Sequence, residues 1–399
     1  MNKRQYGDLV IATVILMCLG IAYAWSLFVG AIQEEYPTWS ATSLSMVFTV
    51  QMIGFCSASL LAGWMMKHVG NRLLYLLCGM MYLVGMIGAG HAVTPYVIWI
   101  FYGAMCGFAT GIAYNCVISV VVREFGIRAG TASGIMMMGY GMGGLLLGTV
   151  VSHLHDRVGW RNTFYIFSVF YFCLMLLCIL FFGHQEKEQT QASQAEMAGI
   201  YGNLTFVQAV KTRAMWSYYL WGVNIALLGL GVIGHIAQTA ASVRETTSFA
   251  VIATGVLSVS NGISRIVFGV FYDTKGRKFT MRFIDSCMLL SILCFCISLY
   301  NKWDWLFLTA AVLMGMGYGG SVPCNSSYAK DCFGDKCFST NFGFLCSDGL
   351  LSAFLGPTIM SLLLTATGKY LYSYVVLLIC CILLWVMEAG ITKNIQKRW

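Results

Sequence analysis

Read only as apolar and polar positions, the chain is a succession of long apolar runs separated by short polar breaks. Twelve runs can be placed, near residues 8–31, 40–66, 71–91, 95–121, 128–153, 161–183, 214–240, 246–271, 280–300, 303–329, 337–366 and 369–392. Each meets the length of about 20 residues that a helix needs to cross the hydrocarbon of a bilayer. The first run is too long, and too weakly flanked by a small-residue cleavage site, for a removable signal peptide, so it counts as a span. Residues 184–213 are the one extended polar stretch, rich in Gln, Glu, Ala and Ser, and read as a linker. The pattern predicts an all-α membrane protein with twelve transmembrane helices. Residues 1–183 form an N-terminal six-helix bundle, 184–213 a cytoplasmic linker and 214–399 a C-terminal six-helix bundle.

Composition agrees with the pattern. Of 399 residues 58% are hydrophobic and only 10% charged, against about 25% charged in a soluble domain. Mean hydropathy is +0.74. The net charge of +8 has a local origin. With both termini on one side, every Lys and Arg falls there except Arg157, Arg161, Arg244, Lys302, Lys369 and the intramembrane Arg265. The positive-inside rule then makes that side cytoplasmic and the protein a multi-pass component of the cytoplasmic membrane. The basic residues are spread through short loops and form no continuous stripe, which excludes nucleic acid as a partner. The 16 cysteines lie almost all singly in apolar runs, where Cys acts as a small hydrophobe, and no zinc-type spacing occurs. No metal or other cofactor is expected. No Walker loop is present, which disfavours an ATP-driven pump or a membrane enzyme.

The runs contain an internal repeat. The loop Gly63, Trp64, Met65, Met66, Lys67, His68, Val69, Gly70, Asn71, Arg72 aligns without a gap on Gly269, Val270, Phe271, Tyr272, Asp273, Thr274, Lys275, Gly276, Arg277, Lys278. Each follows the second span of its half, which predicts two pseudo-symmetric six-helix bundles. The second copy resembles the signature loop of the major facilitator superfamily: glycine, three residues, aspartate, two residues, glycine, arginine, basic residue. The first copy departs from it, with Lys67 where the family has aspartate and Asn71 where it has the first basic residue. Charge pairs at such a loop can latch one conformation. Candidate gating residues are therefore Asp273, Gly276, Arg277 and Lys278, with Gly63, Gly70 and Arg72 in the first copy. Positive-inside topology alone also accounts for the basic members.

Spans 4 and 5 carry closely spaced glycines, among them Gly107, Gly111, Gly134, Gly139 and Gly143, which let helix backbones approach. With YAWSLFVG, NGISRIVFG, YGGSVPCNSSYAKDCFG and NFGFLCSDGLLSAFLGP, these segments resemble the oxalate/formate antiporter and monocarboxylate porter branch of that superfamily. The resemblance implies a secondary transporter, not an enzyme, whose central cavity opens alternately to each side.

The candidate chemistry centres on Arg265, an arginine inside the apolar span 8. Its guanidinium keeps its proton, and a charge at bilayer depth costs about 2.5–3.5 kcal/mol on insertion scales. Such a residue marks a substrate or ion path unless it is a buried structural ion pair. Asn261 lies four residues earlier on the same helix face. Tyr23, Tyr114, Tyr140 and Tyr318 are candidate hydroxyl donors and walls, each also suited to packing. Asn325 is a further candidate, and Gln51 reads as an interhelical amide before a ligand contact. Asp348, in span 11, is the candidate proton-coupling residue, with His235 next in line.

In oxalate-transporting relatives span 11 is expected to carry a lysine near this place, whereas here Asp348 and Gly349 stand there. Arg265 and Asp348 sum to zero, so a dianion would leave two uncompensated charges in low dielectric. A monoanion with a protonated Asp348 restores neutrality. The sequence thus points to a small monocarboxylate carried with a proton by a membrane protein functional as a monomer, with membrane lipid and substrate as its partners. Anion antiport of the oxalate/formate type, drug or cation export, and a transporter-fold sensor stay open.

Overall fold

The computed structural model describes residues 3–183 and 199–396. Part of the predicted linker, 184–198, and the charged C-terminal residues Lys397 and Arg398 lie outside the described residues.

Among the described residues nine helices are long and apolar enough to cross a membrane. They resolve into the twelve predicted spans. Pro95–Phe182 contains three, divided by the turn Gly126–Arg128 and by Gly159, whose φ is 80°. Ser248–Asn301 contains two, divided at Gly276, also at φ 80°. Gly70, the repeat partner of Gly276, has φ 82°. A left-handed φ disfavours any side chain, and so the two glycines of the repeat set the same corner in both copies.

Several spans are broken within the bilayer. Span 1 passes from the helix Lys3–Leu19 through a 3-10 turn, Gly20–Ala24, into Trp25–Glu35. Span 4 has one wide π-helical stretch, Trp99–Cys106. Span 11 is split into Phe338–Leu345 and Asp348–Thr367, which puts Asp348 in the first turn of its second piece. Breaks of this kind in transporter helices create binding positions, because backbone groups and helix ends are freed there.

The chain divides into two compact units. The first comprises Met1–Gly126, Met136–Asn203 and Phe333–Ser347. The second comprises Ile127–Ile135, Leu204–Cys332 and Asp348–Trp399. Two short segments therefore group away from the sequence half that contains them: the head of span 5 goes with the second unit, and the head of span 11 with the first.

Inside the first unit, Ala41–Val69 packs on Gly107–Phe125 and on Phe338–Leu345. Asn115 joins these three helices, donating its amide to the Ser59 carbonyl at 2.9 Å and the Ser339 carbonyl at 3.1 Å. Inside the second unit, a β-carbon at Gly134 would overlap the Arg265 carbonyl. Small residues at such crossings are what allow apolar helices to associate where no hydrophobic driving force separates them from lipid.

Candidate functional site

Arg265 projects from the helix Thr247–Asn301 and is 7% exposed. Its Nε and Nη2 both donate to Asn261 Oδ1 at 3.3 Å. The four-residue spacing makes this contact possible on one helix face, and the amide oxygen orients the guanidinium fork.

Asp348 occupies different company in the same unit. Its Oδ2 accepts from Asn325 Nδ2 at 3.3 Å, and Asn325 Oδ1 in turn accepts the hydroxyl of Tyr218 at 3.0 Å. Tyr218 is fixed by stacking on Tyr328, with ring centroids 3.8 Å apart. A β-carbon at Gly222 would lie 2.5 Å from Asp348 Oδ2, so glycine in span 7 is what leaves room for the carboxylate. Among the described residues no ion pair joins Arg265 to Asp348. Tyr318 is half-buried with its ring against Gly229. His235 is half-buried, its Nδ1 3.2 Å from the Gly231 carbonyl.

In the first unit the structure brings three of the candidate tyrosines together. Tyr140 meets Tyr23 edge-on at 5.5 Å and Tyr114 at 5.0 Å, with Phe55 5.2 Å from Tyr114 and 6.0 Å from Tyr140. Edge-to-face geometry of this kind is the favoured one for aromatic pairs. Tyr23 sits in the 3-10 turn of span 1 and is 45% exposed, whereas Tyr114 and Tyr140 are buried. Gln51 is not part of this cluster. It is buried with its backbone against Gly107, a helix-packing place.

The repeat loops differ in what they hold. Asp273 accepts from the backbone N–H of Gly130 at 2.9 Å, from that of Thr131 at 2.6 Å and from the Thr131 hydroxyl at 2.6 Å. It thus caps the N-terminus of the helix Ala129–Phe182, where a negative charge meets the positive end of the helix dipole. Arg277 pairs with Asp331 at 3.2 Å and lies over the Tyr328 ring. Lys275 and Lys278 are exposed, as is Arg72. In the first copy Lys67, standing for the aspartate, reaches Cys337 Sγ at 2.9 Å, the residue that precedes Phe338–Leu345. Gly63 is buried against Thr340, where a β-carbon would overlap the backbone.

The sequence pattern described as Major Facilitator Superfamily fits residues 10–347. The chain belongs to this superfamily. It is a multi-pass membrane transporter and not an enzyme. Among relatives, an uncharacterized MFS-type transporter of Escherichia coli K12 is 23% identical over 86% of this chain and 84% of its own. The oxalate:formate antiporter of Oxalobacter formigenes is 21% identical over 84% and 79%. Human monocarboxylate transporter 12 is 22% identical over 76% of this chain and 64% of its own length. Of solved structures, the proton:xylose symporter XylE superposes with a TM-score of 0.67 at 15% identity, covering 95% of this chain and 94% of XylE. FucP in an outward conformation gives 0.65 at 11% identity, covering 98% and 99%. These neighbours show the major facilitator fold.

Sequence reasoning passed over several members of these clusters. Tyr218 and Phe55 look like ordinary apolar-run aromatics, and only the contact to Asn325 and the ring geometry single them out. Asp285 and Glu388 were also passed over, because they lie near span ends where charges are common. Asp285 is fully buried and accepts from Trp221 Nε1 at 2.9 Å, while the buried Glu388 pairs with Arg282 at 3.1 Å.

Proposed function

We propose that this superfamily member carries a small monocarboxylate across the cytoplasmic membrane by alternating access, with a proton moving alongside it and both termini on the cytoplasmic side. The carrying observation is that the buried Arg265 and the half-buried Asp348 are engaged by different side chains. Arg265 is oriented by Asn261, and Asp348 is engaged by the neutral Asn325. Neutral partners leave the carboxylate's charge uncancelled, so its protonation state is free to answer to an arriving anion. The planar fork of Arg265 suits bidentate capture of a carboxylate. Tyr218 steadies Asn325, and the Tyr23–Tyr114–Tyr140 cluster forms by itself an aromatic wall bearing hydroxyls. The names of the relatives, an oxalate:formate antiporter and monocarboxylate transporters, favour the same substrate class. Asp348 in place of the expected lysine favours a monoanion over oxalate on charge balance.

The second reading is anion exchange of the oxalate:formate type, favoured by the relative of that name. Proteoliposomes separate the two. With an inward-directed proton gradient and no internal anion, symport accumulates labelled formate, lactate or pyruvate, whereas exchange requires a counter-anion inside. A protein that binds these acids in a thermal-shift assay but moves none of them would be a sensor and would overturn both.

A further inference from the structure

We infer that the surface cleft beside Gly276 binds the headgroup of an anionic phospholipid. The cleft, of about 460 Å³, is lined by Lys275, Lys278, Phe279, Arg282, Phe283 and Ser286. It therefore offers three cations, one hydroxyl and two phenyl rings. Beyond the corner at Gly276 the chain is again helical, and Lys278, Phe279, Arg282, Phe283 and Ser286 recur at three- and four-residue spacing on one face. Lys275 and Lys278 precede the rings, and Arg282 lies between Phe279 and Phe283 on the same face. Phe279 and Phe283 are exposed and stacked at 6.0 Å, and Phe271 joins them at 5.9 Å from each.

Among the described residues no ion pair involves Lys275 or Lys278, and of the cleft's cations only Arg282 has one, with Glu388. Asp273 turns to Gly130 and Thr131, and Asp331 takes Arg277. The acid beside the cleft is Glu388, buried and bonded to Nε of Arg282, which leaves the two terminal nitrogens of that guanidinium for the cleft. This bond also fixes Arg282, so a phosphate meets an anchored fork rather than a mobile chain. A free anion has no use for the exposed phenyl stack, whereas an acyl chain lies along it with its phosphate among the cations. The chemistry that fits all six residues is an anionic headgroup on a hydrocarbon tail. The site is independent of the transported substrate, since its residues are not those proposed to hold the carboxylate.

The test uses the full-length protein in dodecyl maltoside, with phosphatidylglycerol titrated against a thermal-unfolding readout. Phosphatidylcholine, inorganic phosphate and glycerol phosphate form the parallel arms. Phosphatidylglycerol is expected to raise the midpoint saturably and the other three are not. Lys275→Gln/Lys278→Gln keeps the Arg282 to Glu388 pair and is expected to weaken the apparent affinity about 30-fold, each charge near a lipid surface being worth about fivefold. Lys211→Gln/Lys336→Gln removes the same charge from other loops and is expected to change it less than about threefold. Native mass spectrometry of the same samples counts retained phosphatidylglycerol and reads binding even where the variant is less stable. Equal retention by the Lys275/Lys278 variant and the parent overturns the proposal. So does equal loss in the Lys211/Lys336 control, or a response to phosphate or phosphatidylcholine matching that to phosphatidylglycerol.

Discussion

Asn325 donates its side-chain amide to the Asp348 carboxylate at 3.3 Å, and the carboxylate belongs to the first turn of a helix that begins inside span 11. The break before that helix gives Asp348 two kinds of neutral support, an amide and a helix N-terminus. Neither fixes its proton as a cationic partner would. Asp348→Asn mimics the protonated form, so the variant is expected to keep carboxylate exchange while losing accumulation driven by a pH gradient. Counterflow and gradient-driven uptake, measured on the same proteoliposomes, check this. Intact gradient-driven uptake in the variant would move the proton role to His235.

Arg265 makes the complementary case. Arg265→Lys keeps the charge but loses the planar fork held by Asn261, and affinity for the carboxylate is expected to fall by about 1.5–3 kcal/mol, the worth of a hydrogen bond to a charged group. The readout is KM for uptake together with the midpoint shift produced by each acid. Unchanged KM would remove Arg265 as the clamp.

How much of this was legible in the sequence varies with the physics behind each feature. The spans were, because apolar length is a direct demand of the bilayer, and so was the loop repeat that sets Gly70 opposite Gly276, although the left-handed φ the two share is visible only in the structure. Arg265 stood out by its charge, and Asn261 by its spacing. Contacts between distant spans were not legible: Asp348 meeting Asn325, or Asn115 reaching both Ser59 and Ser339, follow from which faces pack together. Gln51, a mid-span amide that reads first as an interhelical contact, lies with its backbone against Gly107 at a helix crossing. The regrouping of Ile127–Ile135 and Phe333–Ser347 likewise leaves no mark in a hydropathy pattern.

A structural clamp at the span ends gives a pH prediction, its carboxylate, Glu35, lying beyond span 1. Arg161 donates to the Gly90 and Ala92 carbonyls, the Tyr36 hydroxyl and Glu35, and Trp160 Nε1 donates to Glu35 at 2.6 Å. Burial pushes the Glu35 carboxyl up, but the bonds from Trp160 and Arg161 outweigh it and hold the carboxyl below its ordinary value. A depressed carboxyl stabilises the fold above its unfolded value, about 4.3, and the contribution fades as pH falls through the lower folded value. The side chain is 44% exposed, so solvent screens the pair and limits it to about 1 kcal/mol or less. Glu35→Gln is thus expected to lower the thermal midpoint slightly at pH 7, with the gap to the parent closing below pH 4. A gap that widens in acid would contradict the assignment.

The last prediction concerns the unequal repeat loops. Asp273 caps the helix Ala129–Phe182 with three hydrogen bonds, so Asp273→Ala removes an N-cap and should cost about 0.5–2 kcal/mol. Lys67, at the matching place, sets a positive charge beside Cys337, just ahead of the helix Phe338–Leu345. A cation at a helix N-terminus opposes the dipole, and replacing it by a carboxylate reverses the sign, a change of about 0.3–1 kcal/mol for each step. Lys67→Asp is therefore expected to raise the thermal midpoint, and Asp273→Ala to lower it. Lys67→Met separates the loss of the thiol contact from the gain of the carboxylate and is expected to fall between the parent and Lys67→Asp. Transport should respond in the opposite sense to stability if these contacts act as latches, because a tighter grip on a helix end slows its release: Lys67→Asp lowers the turnover rate with KM little changed. If Lys67→Asp and Asp273→Ala shift the midpoint in the same direction, the dipole account of the two loops fails. If turnover is untouched in both, the loops shape the fold without gating it.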